Sequence, residues 1–394
     1  MNRPKDVLIM FPMDNIRAFL KKIYFILEGG LLKFKTRKDI LFVVENELMF
    51  KYAYEVYQQL SGDKRVRLWF CVVYPERFND VSEMKKRFKA GVVPYGLARR
   101  IKWDLILYPN HGPYFRNDCP KIYIGHGLGS GKVGRIKDHY VFGKYSLNGN
   151  GRVIYKKIFL AGEHVKEQVR KHYPVFYPHV KVVGSLLGDR LVNADIQNSV
   201  RSTAPNLDRG KKTVMLASSW GPHSLIQSQK NKIARGVRNL AGEYNVVISL
   251  HPNNFNKIHF EGVDLAQLFS EMEHENVHIR KPGDDGHLLL PFADVLVTDM
   301  TSLGLYFPLL NKPIIFYDSP GQEYFPDSLN QELRKASHVT RDVSDLRSDV
   351  REALKNFDKE KMEGLAERTF SYRGRARERY SYEIYESLGL KQKL

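Results

Sequence analysis

The sequence predicts an α/β protein of two doubly wound halves, each a parallel sheet flanked by helices, facing one another across a cleft. Three observations carry this. Short apolar runs of strand length alternate with amphipathic segments along most of the chain. The stretch 195–212 is polar, with Pro205 and Gly210, and divides that alternation in two. Polar or glycine-rich residues follow directly on several of the apolar runs, where an open α/β sheet binds its ligands.

In the first half, a strand within Asp39–Glu45 precedes a helix from Tyr52 to Leu60. Further strands are read at Val66–Val73, Trp103–Leu107, Lys121–Ile124 and Ile158–Leu160. Glu163 opens another helix, and Val180–Val183 leads into Gly184. The second half repeats the pattern with strands at Thr213–Ala217, Val246–Leu250, Val277–Ile279, Val295–Thr298 and Pro313–Tyr317. The expected division is therefore 1–194, a linker at 195–212, a second domain at 213–370, and a closing segment at 371–394. An Arg-rich helix between Arg373 and Leu388 is expected to cross back onto the first domain.

Composition fits a folded protein. The 394 residues are 43% hydrophobic and 27% charged, enough for two ordinary cores. No apolar run reaches the ~18 residues of a membrane-spanning helix, and the N-terminus lacks a signal-peptide pattern. Cys71 and Cys119 are too few for a disulfide framework, and Cys71 reads as plain core. These features point to a cytoplasmic location. A net charge of +18 favours polyanionic partners: nucleic acid, anionic lipid or phosphorylated substrates. No nucleic-acid-binding motif accompanies it, so a basic nucleic-acid-binding protein is the weakest reading. Near the start, Ile16, Phe19, Leu20, Ile23 and Leu27 recur at helical spacing among Arg17, Lys21 and Lys22, with Lys33 and Lys35 following. That segment is either a helix covering the first sheet or one lying in an anionic membrane interface.

Three strand ends carry candidate chemistry. Val295–Thr298 runs into Asp299-Met300-Thr301-Ser302, where a helix begins. Thr301 and Ser302 suit a helix cap, and also suit hydrogen bonding to a phosphate at the helix N-terminus. Val246–Leu250 delivers His251-Pro252, with Pro252 ending the strand. Lys121–Ile124 runs into Gly125-His126-Gly127-Leu128-Gly129-Ser130-Gly131-Lys132, a loop whose glycines allow close backbone approach to a ligand. It is not a P-loop: a Gly is missing at His126, and Val133 follows Lys132. Asp284-Asp285, between Pro282-Gly283 and Gly286, read as a turn.

Together the His126-Gly127 loop, Ala217-Ser218-Ser219-Trp220, His251-Pro252 and Thr298-Asp299-Met300-Thr301-Ser302 resemble the teichoic-acid CDP-glycerol glycerophosphotransferase family of primases and polymerases. Lys181-Val182-Val183-Gly184-Ser185 with Asp189 is similar to that family's inter-domain Gly-x-x-x-x-Asp region. The resemblance covers roughly residues 100–385. It implies the GT-B architecture, with the N-terminal domain facing acceptor and membrane and the C-terminal domain binding the nucleotide donor. It implies transfer of a polyol-phosphate, glycerol-phosphate first, from a CDP-activated donor to an acceptor hydroxyl, with release of CMP. The acceptor is an undecaprenyl-diphosphate-linked or polysaccharide chain of the cell wall or capsule, and the enzyme works peripherally at the inner face of the membrane. By the same resemblance His126 is the general base, in a loop with Gly125, Gly127 and Lys132. His251 stabilises the donor phosphates, with Ser219, Pro252, Asp299, Thr301 and Ser302 around the donor. One carboxylate is a poor Mg²⁺ site, so Asp299 reads as ordering its loop, and no metal or other cofactor is expected. The competing enzyme reading is a glycosyltransferase of the same architecture using a sugar nucleotide.

Overall fold

A computed structural model of the chain describes residues 36–77, 91–111, 115–116, 118–125, 128, 139, 141–193, 207–255, 264–280 and 285–391. The first sheet has seven strands: β1 (Lys38–Val44), β2 (Val66–Val72), β3 (Gly91–Val92), β4 (Leu105–Tyr108), β5 (Lys121–Tyr123), β6 (Lys157–Leu160) and β7 (Val180–Val182). They lie in the order β3-β2-β1-β4-β5-β6-β7, and all neighbours are parallel. The second sheet has six: β8 (Thr213–Ser218), β9 (Asn245–Leu250), β10 (Val277–Ile279), β11 (Val295–Thr298), β12 (Ile314–Tyr317) and β13 (His338–Thr340). Their order is β10-β9-β8-β11-β12-β13, again all parallel. Central strands such as β1, β8 and β11 are buried at nearly every position and apolar along their middles, because helices cover both faces.

The helices follow local signals. Asn46 caps the helix Glu47–Leu60 by accepting the Met49 N–H at 3.0 Å, and Glu47 complements the helix dipole in its first turn. Ala53, Val56, Tyr57 and Leu60 then recur at helical spacing and bury against Phe42 and Phe70 of the sheet. In the second unit Ile233, Ala234, Val237 and Leu240 do the same on the helix Asn231–Ala241, against Val246 and Val214.

The chain passes between the two units twice. It leaves β7 through Gly184 into the helix Leu186–Val192, whose Leu187 and Leu191 pack with Leu290, Phe307 and Phe370 in the second unit's core. It returns after the helix Lys359–Thr369 into the helix Ala376–Leu388, whose Tyr380, Ile384, Tyr385 and Leu388 complete the core of the first sheet. Lys157, at the start of β6 and buried, fixes this helix by donating to the Glu383 carbonyl at 2.8 Å and its carboxylate at 2.7 Å, with Glu386 as a further partner. The two passages touch. Gly184 has φ +84°, and a Cβ there would lie 2.7 Å from the Ser371 carbonyl oxygen. Ser371 N–H donates to the Ala161 carbonyl at 2.9 Å. The Asp189 carboxylate accepts the Gly374 and Ala376 N–H groups at 2.7 and 2.9 Å. A separate tie joins the helix Glu163–His172 to the second unit: Asp327 receives Lys171 and His172 at 2.6 and 2.8 Å. Among the described residues no helix is long and apolar enough to cross a membrane.

Candidate active site

The register of the second sheet sets three predicted strand ends side by side. Ala217 of β8 pairs with Thr298 of β11, and Ser218 with Leu250 of β9. The residues that follow, Ser219, Asp299 and His251, therefore emerge together where the strand order turns from β8 both ways, the position at which doubly wound sheets bind ligands.

Asp299 is buried, and its carboxylate organises the neighbouring loop. It accepts the Ser219 N–H at 2.8 Å, the Leu225 N–H at 2.7 Å and the Ser218 hydroxyl at 3.2 Å. Ser218 Oγ in turn accepts the Ile226 N–H, and Asn254 donates its amide to the Ser219 carbonyl at 2.8 Å. Thus the loop 219–224 is held at both ends by one carboxylate, the ordering role expected for Asp299. Its oxygens face two backbone N–H groups and the Ser218 hydroxyl.

His251 is exposed, beside Trp220 at a ring separation of 6.1 Å. Its Nδ1 accepts the Asn253 N–H at 3.1 Å, which leaves the ring proton on Nε2 as a donor. Pro252 opens the short 3₁₀ turn Pro252–Phe255 that brings Asn253 into place. Thr301 and Ser302 differ in their surroundings. Thr301 Oγ1 is buried, caps the helix Ser302–Tyr306 by accepting the Gly304 N–H at 3.1 Å, and lies 3.3 Å from Thr298 Oγ1. Ser302 is exposed at the first helical position. The cap reading holds for Thr301.

Arg280 was not signalled by the sequence. Following β10 directly, it is 5% exposed and donates to Ser249 Oγ at 2.9 Å and the Leu250 carbonyl at 2.6 Å. It places a buried positive charge behind the strand end that carries His251. Only the pairing of β10 with β9 brings it there, so an arginine after a three-residue strand gives no sign of it.

Across from this edge a cavity opens between the two units. The first unit contributes Gly125, Leu128, Lys51, Tyr52 and Glu55, the passage contributes Gly184, Ser185 and Arg190, and the second unit contributes Asp285, His287 and Tyr306. Burial pushes the Tyr52 phenol well above its usual range and that of Tyr306 to about 12, so both stay protonated donors. Gly125 and Leu128 bracket His126 in the chain. His126, Gly127 and Lys132 themselves lie outside the described residues, as do Arg17, Lys21, Lys22, Lys33 and Lys35. Asp285 is more than a turn residue: it caps the 3₁₀ turn Gly286–Phe292 and bonds the His287 ring. Among the described residues no group of three or more His, Cys, Asp or Glu is assembled to hold a metal ion.

Comparison with known proteins follows the same lines. The wall teichoic acid polymerase TagF superposes with a TM-score of 0.65 at 15% identity, over 96% of this chain and 98% of that one. The S. aureus MnaA–UDP structure gives 0.56 at 14% identity, over 90% and 98%. UDP-GlcNAc 2-epimerase from Neisseria meningitidis, bound to UDP-GlcNAc, gives 0.53 at 15%, over 89% and 99%. These likenesses establish the GT-B arrangement of two doubly wound units. No curated protein matches in sequence. The family profile described as CDP-Glycerol:Poly(glycerophosphate) glycerophosphotransferase matches residues 154–386, more than half the chain and all the strand ends of the second sheet. The protein therefore belongs to the CDP-glycerol glycerophosphotransferase family and is an enzyme of that type.

Proposed function

We propose that the enzyme transfers a polyol-phosphate, glycerol-phosphate first, from a CDP-polyol to a hydroxyl of a growing wall or capsule polymer, lipid-linked or polysaccharide, and needs no cofactor. One observation supports this most: Asp299 fixes the loop 219–224 beside His251 and Ser302 at the switch point of a parallel sheet. That edge presents hydrogen-bond donors, backed by the Arg280 charge, to a diphosphate.

The acceptor oxygen forms a bond to the β-phosphorus while the bond from that phosphorus to the bridging oxygen breaks. CMP leaves with the electron pair, and the acceptor's proton passes to a base, the role assigned to His126. His251 Nε2–H and the Ser302 hydroxyl meet the charge gathering on the departing phosphate. The basic N-terminal segment, with Arg17, Lys21, Lys22, Lys33 and Lys35, brings the enzyme to the inner face of an anionic membrane where a lipid-linked acceptor resides. Each such side chain contributes ~1 kcal/mol near the surface.

The test is a donor panel. Purified enzyme is incubated with CDP-glycerol, CDP-ribitol and UDP-sugars, with and without a short glycerol-phosphate oligomer, and CMP or UDP release is followed. CMP release dependent on the oligomer is the expected result; turnover of a UDP-sugar alone overturns the reading. Cosedimentation with anionic liposomes tests the membrane role, which fails if wild-type protein stays in solution at low salt.

A further inference from the structure

His287 stands on the 3₁₀ turn Gly286–Phe292, between the donor edge and the cavity. The turn packs on the donor edge so closely that a Cβ at Gly286 would lie 2.7 Å from Ser249 Oγ, the hydroxyl that receives Arg280. His287 itself lines the cavity. Two contacts fix its ring. Its Nδ1 is 3.0 Å from Asp285 Oδ1, and its plane stands at 90° to that of Tyr306, 5.4 Å away. A carboxylate beside Nδ1 holds the proton there and leaves Nε2 with its lone pair. That nitrogen is buried and has no hydrogen-bond partner among the described residues. Buried acceptors are seldom left unmet, and in a cavity wall the hydroxyl of a bound ligand can supply the missing donor. The same cavity presents Lys51 on the helix Glu47–Leu60, and Gly125 and Leu128 on either side of His126.

We propose that His287, oriented by Asp285, binds the acceptor: its Nε2 takes the hydrogen bond of a hydroxyl on a phosphorylated polyol whose phosphate faces Lys51. This rests on the transferase reading above and names the acceptor's contact within it. The pair selects for acceptors with a hydroxyl next to the one that reacts, because an acceptor lacking it leaves the nitrogen unmet.

Steady-state kinetics of the full chain with CDP-glycerol and a short soluble glycerol-phosphate oligomer test this. His287→Ala should raise the oligomer's KM about tenfold, the usual scale of one lost hydrogen bond, and leave the KM for CDP-glycerol unchanged. His287→Gln, which keeps an acceptor atom and most of the volume, should recover part of the loss. It also serves as the informative variant if the alanine form does not fold. An oligomer KM within twofold of wild type in both variants overturns the inference while leaving the transferase standing. So does an equal rise in both KM values, the mark of a merely structural role. A wild-type enzyme that releases no CMP from any CDP-polyol overturns the transferase reading and this assignment together.

Discussion

Ser219 and Asp299, 80 residues apart in the chain, meet through two hydrogen bonds from one backbone N–H, at 2.8 and 3.1 Å. The same carboxylate takes the Leu225 N–H, so it ties both ends of the loop 219–224. Asp299→Ala strands two buried N–H groups and should cost about 3 kcal/mol or more of stability. Affinity for CDP should fall with it, because the loop beside His251 loses its anchor. Urea denaturation and calorimetric titration check both parts. Unchanged stability would mean that the loop has other sufficient supports.

Thr301 and Ser302 should separate cleanly. Thr301→Ala removes a helix cap and should lower stability by ~1 kcal/mol. Ser302→Ala should leave the melting temperature alone and weaken CDP binding, as should His251→Ala through a lost contact to a charged phosphate, worth roughly 1.5–3 kcal/mol. Equal effects of both changes at 301 and 302 on melting and on affinity would contradict the division seen in the helix Ser302–Tyr306.

His126→Ala should reduce turnover by ~10²–10⁴ with donor affinity retained, since the base acts on the acceptor's proton. Single-turnover CMP release, paired with titration of CDP, measures the two separately. A variant that keeps a tenth of normal turnover or more removes His126 from that role.

Asp285 makes an acid-side prediction. Burial pushes its carboxyl up, but the hydrogen bonds from His287 and the charge of that ring once protonated, with a smaller part from Lys51, more than offset this and hold it at about 2. The folded value lies below the unfolded ~3.9, so the ionised carboxylate stabilises the fold above about pH 5, and that contribution fades as the pH falls towards 2. Wild type should exceed Asp285→Asn by ~2–2.5 kcal/mol near pH 6 and by roughly half of that near pH 3. Denaturant titrations at the two pH values decide it; a gap independent of pH would assign the loss to packing.

Asp189 joins the outgoing and returning passages by accepting two N–H groups at the start of the helix Ala376–Leu388. Burial pushes its carboxyl upward against those two bonds. Asp189→Ala should cost about 2 kcal/mol, and the loss should appear first in the first sheet, which that helix completes. Hydrogen exchange resolved by peptide would show it; protection lost only around β8–β12 would contradict it.

Much of this was legible in the sequence because the physics behind it is local. Central strands such as Ile40–Val44 and Val295–Thr298 announce themselves by being apolar on both faces, and Thr301 and Asp299 by standing where a strand becomes a helix. What escaped depends on pairing across distance. β3 is two residues long, and β13, His338–Thr340, has no apolar run; both are edge strands recruited by a neighbour. Arg280 and His287 read as ordinary polar residues until the sheet brings one beneath His251 and the second into a cavity shared with residues of the first unit. Asp285, legible as a turn, gave no sign of its histidine partner.

Because Gly184 lies against Ser371 and Asp189 grips Gly374 and Ala376, the two crossings form one joint rather than two independent tethers. Gly184 and Ser185 also line the cavity, so this joint forms part of its floor, while Lys51 and His287 reach it from opposite units.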